Sequence, residues 1–86
     1  MINKIGEKVS VNFVYNHLEN SLLPKYIKWK NRIYHIQKLG LHYTLFQGNI
    51  LFHMFAVSSL DKYFLLSLNT QNLHWQLEEI ADNQTN

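Results

Sequence analysis

Between Phe64 and Leu77, large apolar side chains fall on alternate residues twice over. Phe64, Leu66 and Leu68 form the first series, Leu73, Trp75 and Leu77 the second, and Asn69-Thr70-Gln71-Asn72 separates them. A repeat of two residues is that of a β-strand with one buried face, and a polar, Asn-rich break between two such runs reads as a hairpin. A two-residue turn at Thr70-Gln71 predicts Leu68 against Leu73, Leu66 against Trp75 and Phe64 against Leu77, a ladder of large cross-strand pairs. Ser67, His74, Gln76 and Glu78 then form the solvent-facing row.

The same period recurs upstream. Val9, Val11, Phe13 and Tyr15 alternate with Ser10, Asn12 and Val14, which predicts a first strand over 8–15. Asn16–Leu23 reads as a loop with room for one helical turn, and Pro24 bounds the next element. Lys25–Trp29 and Arg32–Lys38 read as a hairpin around Lys30-Asn31, because Asn tolerates the left-handed backbone of tight turns. That turn sets Trp29 against Arg32, Ile27 against Tyr34 and Lys25 against Ile36. One face then carries Ile27, Trp29, Tyr34 and Ile36, the other Tyr26, Lys28, Ile33 and His35.

Leu39-Gly40 breaks the pattern before Leu41, Tyr43 and Leu45 resume it, and Gln47-Gly48-Asn49 is a turn signal ahead of a strand at 50–57. If Gln47-Gly48 is the turn, His42 lies opposite His53 and Tyr43 opposite Phe52. A turn shifted by one residue changes these partners and leaves both histidines on one face. The strand 50–57 is apolar on both sides, which suggests a central position.

The expected fold is all-β: a meander of about six to seven short antiparallel strands forming a highly curved sheet or a small barrel. One β domain should span 1–82, with 83–86 a frayed tail. An open meander leaves two edges that closure or dimerisation would cover.

Eighty-six residues with 47% hydrophobic content support one core, and a chain this small buries only about 60–65% of its unfolded surface. There is no cysteine, hence no disulfide, thiolate–metal or thiol chemistry. Nothing in the first eight residues resembles the apolar segment of a secretory signal, so the expected location is cytoplasmic. The run 50–57, broken by His53, is far too short to span a bilayer, and no membrane partner is expected. Asn83-Gln84-Thr85 matches a glycosylation sequon, without a secretory context to use it.

Catalytic patterns are missing. Glu78 and Glu79 are adjacent on an expected strand and so should point to opposite faces. No serine sits in a nucleophile motif, and Gly6, Gly40 and Gly48 are too dispersed for a phosphate loop. The expectation is no enzyme, no cofactor and no small-molecule substrate. Five histidines are many for this length. His42 and His53, with His35 or His74, are the metal-ligand candidates, although no H-x-H or H-x-x-x-H spacing occurs. The competing reading is half-buried strand histidines bonded to neighbours, or a pair that repels on protonation.

Charge is unevenly spread. Residues 1–48 hold seven basic and two acidic side chains, and residues 49–86 hold Lys62 against Asp61, Glu78, Glu79 and Asp82. Five cations fall between Lys25 and Lys38 and interleave with rings. Single-stranded nucleic acid is bound by such a pattern, cations holding phosphates while rings stack on bases. The candidate site is Lys25, Tyr26, Lys28, Trp29, Lys30, Arg32, Tyr34 and Lys38. Against it stands the reading in which Trp29 and Tyr34 are core and the lysines only solvate the surface. The alternative function is protein interaction or homo-oligomerisation through sheet edges and the apolar strand 50–57.

Leu23-Pro24-Lys25-Tyr26-Ile27-Lys28-Trp29-Lys30-Asn31-Arg32-Ile33-Tyr34 together with Phe64–Leu68 and Leu73-His74-Trp75-Gln76-Leu77 resembles small bacterial domains of unknown function. In these a Pro precedes an aliphatic-x-Trp strand, a short turn and an Arg-x-Tyr strand, and a pair ending in Trp-x-Leu closes the domain. This chain has Asn31 without the adjoining glycine. The resemblance covers roughly residues 8–80 and implies a single β domain with no catalytic residue. Some such domains occur near DNA-repair polymerases, which favours a nucleic-acid role.

Overall fold

Seven strands alternate along the chain: β1 (Ile2–Asn16), β2 (Ser21–Trp29), β3 (Arg32–His35), β4 (Lys38–Gln47), β5 (Ile50–Ser59), β6 (Lys62–Asn69) and β7 (Trp75–Asp82). The computed structural model describes residues 2–82; the expected frayed tail and the sequon fall outside the described residues. All pairings are antiparallel, in the order β3-β2-β1-β7-β6-β5-β4. The all-β meander is therefore as expected. The sheet curls, but it is not a closed barrel, because the edge strands β3 and β4 do not pair.

Curling comes from two segments that change partners along their length. The first half of β1 bonds to β7 as far as Val9↔Trp75, and the second half bonds to β2 from Ser10↔Lys28 onward. Gly6, at φ +66°, sits in the irregular stretch between Lys4 and Glu7, a backbone region that L side chains rarely enter. The second segment is the β3–β4 passage. The Ile36 amide donates to the Lys25 carbonyl on β2 (2.9 Å), and the next amide, Gln37, donates to the Ser58 carbonyl on β5 (2.8 Å). One peptide step thus carries the chain from one edge of the sheet to the other.

The inner face of the curl holds Ile27, Phe55, Val57, Phe64, Leu66, Leu68, Trp75 and Leu77, with Val9, Val11, Trp29, Tyr34 and Ile80 packed around them. Each large side chain removed from water contributes roughly 1.5–3 kcal/mol before chain entropy is set against it.

The hairpin at Lys30-Asn31 forms with Trp29 opposite Arg32 and Ile27 opposite Tyr34. Lys30 and Asn31 both have positive φ, as a type I′ turn requires. The β6–β7 connection corrects the two-residue turn at Thr70-Gln71. Leu68 pairs with Trp75 and Leu66 with Leu77, while Leu73 sits in the loop, exposed and at φ +62°. Asparagine chemistry explains the longer loop. Asn69 Oδ1 accepts from the amides of Gln71 and Asn72, and Asn72 Oδ1 accepts from the amide of His74.

Single extra residues account for the other departures. Lys25 is unpaired opposite the Asn12–Phe13 step, so Pro24 lies inside β2 at a bulge and does not bound it. The expected loop shrinks to residues 17–20, where Asn16 Oδ1 receives the amides of Leu18 and Glu19. Gly40 is extra opposite Leu39 and Leu41, so the break in pattern is a bulge within β4. Glu78 is extra between Leu65 and Leu66, which shifts the phase of β7. Leu77 and Ile80 both pack on the core, and Glu78 and Glu79 line one trough on the outer face. The expectation that these two carboxylates point to opposite faces is thereby corrected.

Candidate nucleic-acid interface

Residue parity on β2 and β3 divides the basic hairpin between two faces. Ile27 is fully buried, so Trp29, Tyr34 and Ile36 share its inward row, while Tyr26, Lys28, Ile33 and His35 share the outward one. Trp29 packs against the core, its Nε1–H donates to Glu7 Oε1 (2.9 Å), and Lys30 Nζ lies 4.8 Å from its ring. Tyr34 packs on Phe64, with ring centroids 5.1 Å apart, and the Arg32 guanidinium lies 5.9 Å from its ring. Both rings are half-buried and commit one side to the inner face. Tyr26, half-buried as well, lies on the outward row beside His35, with centroids 5.7 Å apart, two residues from Lys28.

Pairing of β1 with β2 adds residues that the hairpin alone did not suggest. Ser10 lies opposite Lys28 and Asn12 opposite Tyr26. Beside them Lys8, Lys28 and Lys30 line an open groove of about 380 Å³ together with Ser10, Trp29 and Asn31. No acidic side chain lines it. Lys8 and Ser10 were legible as one strand face in the sequence, but only the β1–β2 register brings them to Lys28. Lys25 is exposed at the β2 bulge, and Lys38 begins β4, outside the groove.

Among the described residues the one salt bridge is Lys62 Nζ to Asp82 Oδ1 (2.9 Å). That hydrogen bond and the opposite charge raise the Lys62 ammonium and lower the Asp82 carboxyl. The seven basic side chains of residues 1–48 take part in no such bridge, although Glu79 lies opposite Lys4 and Glu78 shares a trough with Lys8.

His42 and His53 lie on the inward row at the open end of the curl. Thr44 pairs with His53 and Phe55 with His42, a turn shifted by one from Gln47-Gly48. His42 Nε2 and His53 Nδ1 are 2.8 Å apart, and the His42 ring stacks on Phe55 at 4.4 Å. Burial and the neighbouring His53 lower the His42 pKa from its usual value. His35 and His74 are on the outward side of the sheet and do not join this pair. Among the described residues, no group of three or more His, Cys, Asp or Glu could hold a metal ion. Here each ring nitrogen facing the other is occupied by a hydrogen bond.

No family model matches the chain, and neither a curated protein nor a solved structure is significantly similar to it. No helix of the described residues is long and apolar enough to cross a membrane.

Proposed function

We propose that this domain is a non-enzymatic module that binds single-stranded nucleic acid along the β1–β2–β3 face. The observation that carries this reading is the groove of Lys8, Lys28 and Lys30, which has no acidic side chain in its lining and no salt bridge to its lysines. Lysine ammonium groups hold phosphates as point charges, and an open groove suits a backbone that threads past. Tyr26 supplies the stacking surface beside Lys28, while Lys25, Arg32 and Lys38 extend the positive field. Trp29 and Tyr34 serve the fold from the inward row and hold the hairpin that carries the lysines.

The test is fluorescence anisotropy of a labelled mixed-sequence oligonucleotide, titrated at several salt concentrations. Three phosphate contacts on a single strand give a log–log salt slope of about −2. Replacing Lys8, Lys28 and Lys30 with Gln should flatten that slope and weaken binding at least tenfold. Absence of binding by the wild-type protein at about 50 mM salt would overturn the reading.

A further inference from the structure

β4 is the longer and less charged of the two sheet edges, with its one interruption the Gly40 bulge near its start. β3 is four residues long and carries Arg32 and His35, and the start of β2, which β3 does not reach, holds Pro24, all devices that deter strand addition. β4 runs for ten residues, has no proline, and bears no acidic or basic charge other than Lys38 at its start and the neutral-to-titratable His42.

The direction of its free backbone groups follows from the ladder. The Thr70 amide donates to the Leu51 carbonyl, so Leu51, His53 and Phe55 aim their backbone groups at β6. Phe52, Met54 and Ala56 therefore aim theirs at β4, where they meet Leu45, Tyr43 and Leu41. The amides and carbonyls of His42, Thr44 and Phe46 are left pointing outward.

We infer that this edge pairs with a second copy of the chain, β4 antiparallel to β4 about a two-fold axis at Tyr43. That register sets Tyr43 against Tyr43 of the other copy, Leu41 against Leu45, and His42 against Thr44. The outward groups of His42 and Thr44 then exchange hydrogen bonds, and Tyr43 becomes a close, non-bonded pair. Lys38 falls opposite Gly48 at the ends, so no like charges meet. The contact is isologous, the same edge residues serving both copies. Leu41, Tyr43 and Leu45 are 56%, 39% and 38% exposed, and they continue the outward apolar row of Phe52 and Met54. With the edge backbone they bring roughly 500 Å² per copy, about 1,000 Å² in total, the lower limit of a specific interface. An interface of that size fits a weak, reversible dimer. β4 contributes nothing to the basic groove, so the inference stands apart from the nucleic-acid reading.

Sedimentation of the full chain without nucleic acid should show the mass rising from 10.3 kDa to twice that across the micromolar range, independent of salt. Thr44→Pro removes an outward amide and leaves the β4–β5 ladder intact, so it should give a folded monomer by circular dichroism. Tyr43→Lys sets like charges face to face and should weaken association at least tenfold. The chain has no cysteine, so Tyr43→Cys under mild oxidation should cross-link rapidly, the pair distance suiting a disulfide, whereas Tyr63→Cys should not. A wild-type monomer at several hundred micromolar overturns the inference. So does a dimer that survives both β4 substitutions, or equal cross-linking at the two cysteine positions.

Discussion

The Nε2 atom of His42 lies 2.8 Å from Nδ1 of His53, so the two imidazoles share a single proton across the β4–β5 ladder. Protonating both rings removes the acceptor and sets two cations side by side, that of His42 over the ring of Phe55. Burial first, and then the charge of His53, lowers the His42 pKa in the folded protein below its ordinary value of about 6.5. The unfolded chain is then the stronger proton binder. Stability is full above the unfolded pKa and is lost as pH falls through the lowered folded one. The urea midpoint of the wild type should fall between about pH 7.5 and about pH 5.5, and His42→Gln should reduce the fall. A flat wild-type curve in that window removes the histidine pair as a source of pH dependence.

Tyr26 and Tyr34, one strand apart, should separate binding from folding. Tyr34→Leu removes the ring packed on Phe64 and is expected to cost about 1–2 kcal/mol of stability with oligonucleotide affinity little changed. Tyr26→Leu should show the reverse, a several-fold weaker complex with a nearly unchanged urea midpoint. Equal effects of the two on affinity would remove Tyr26 as the stacking ring.

Leu66 is completely buried between Phe55 and Leu77 on the neighbouring strands. Leu66→Ala should cost about 2–5 kcal/mol, comparable with the whole stability of a small domain. The variant is expected to be largely unfolded at 37 °C by circular dichroism. A loss under 1 kcal/mol would mean that the inner face is not the main core.

Leu60 has φ +56° and is 78% exposed in the β5–β6 turn. Its side chain gains little from burial and strains a left-handed backbone, while its amide donates to Gln37 Oε1. Leu60→Gly keeps that amide and should raise stability by about 1 kcal/mol, read as a higher thermal midpoint. A lower midpoint would show that the leucine side chain has a packing role.

The elements legible in the sequence were those where one row of a strand is apolar and the other polar. The Trp29–Arg32 hairpin came out in register because Asn31 marks its turn and Ile27 marks its inward row. On β5 both rows are apolar, and hydrophobicity does not choose between them. Phe55 and Val57 face the core, while Phe52, Met54 and Ala56 face outward. Bulges at Lys25, Gly40 and Glu78 were not legible either, because one extra residue reverses the phase without changing composition. Within the candidate site, the lysines of the hairpin were visible as charges. Lys8 joined them only through a pairing between strands distant in sequence, and Trp29 and Tyr34 face inward for the same reason that Ile27 does.

The pairing of β1 with both β2 and β7 has a consequence for how the chain is made. The contact between Val9 and Trp75 closes a loop that runs from residue 10 to residue 74. During synthesis β2 and β3 can assemble on the second half of β1 early, while its first half waits for the last strand to leave the ribosome. That order predicts a slow, late closure step dominated by loop entropy, and a nascent chain whose apolar β1 row stays open to chaperones until then.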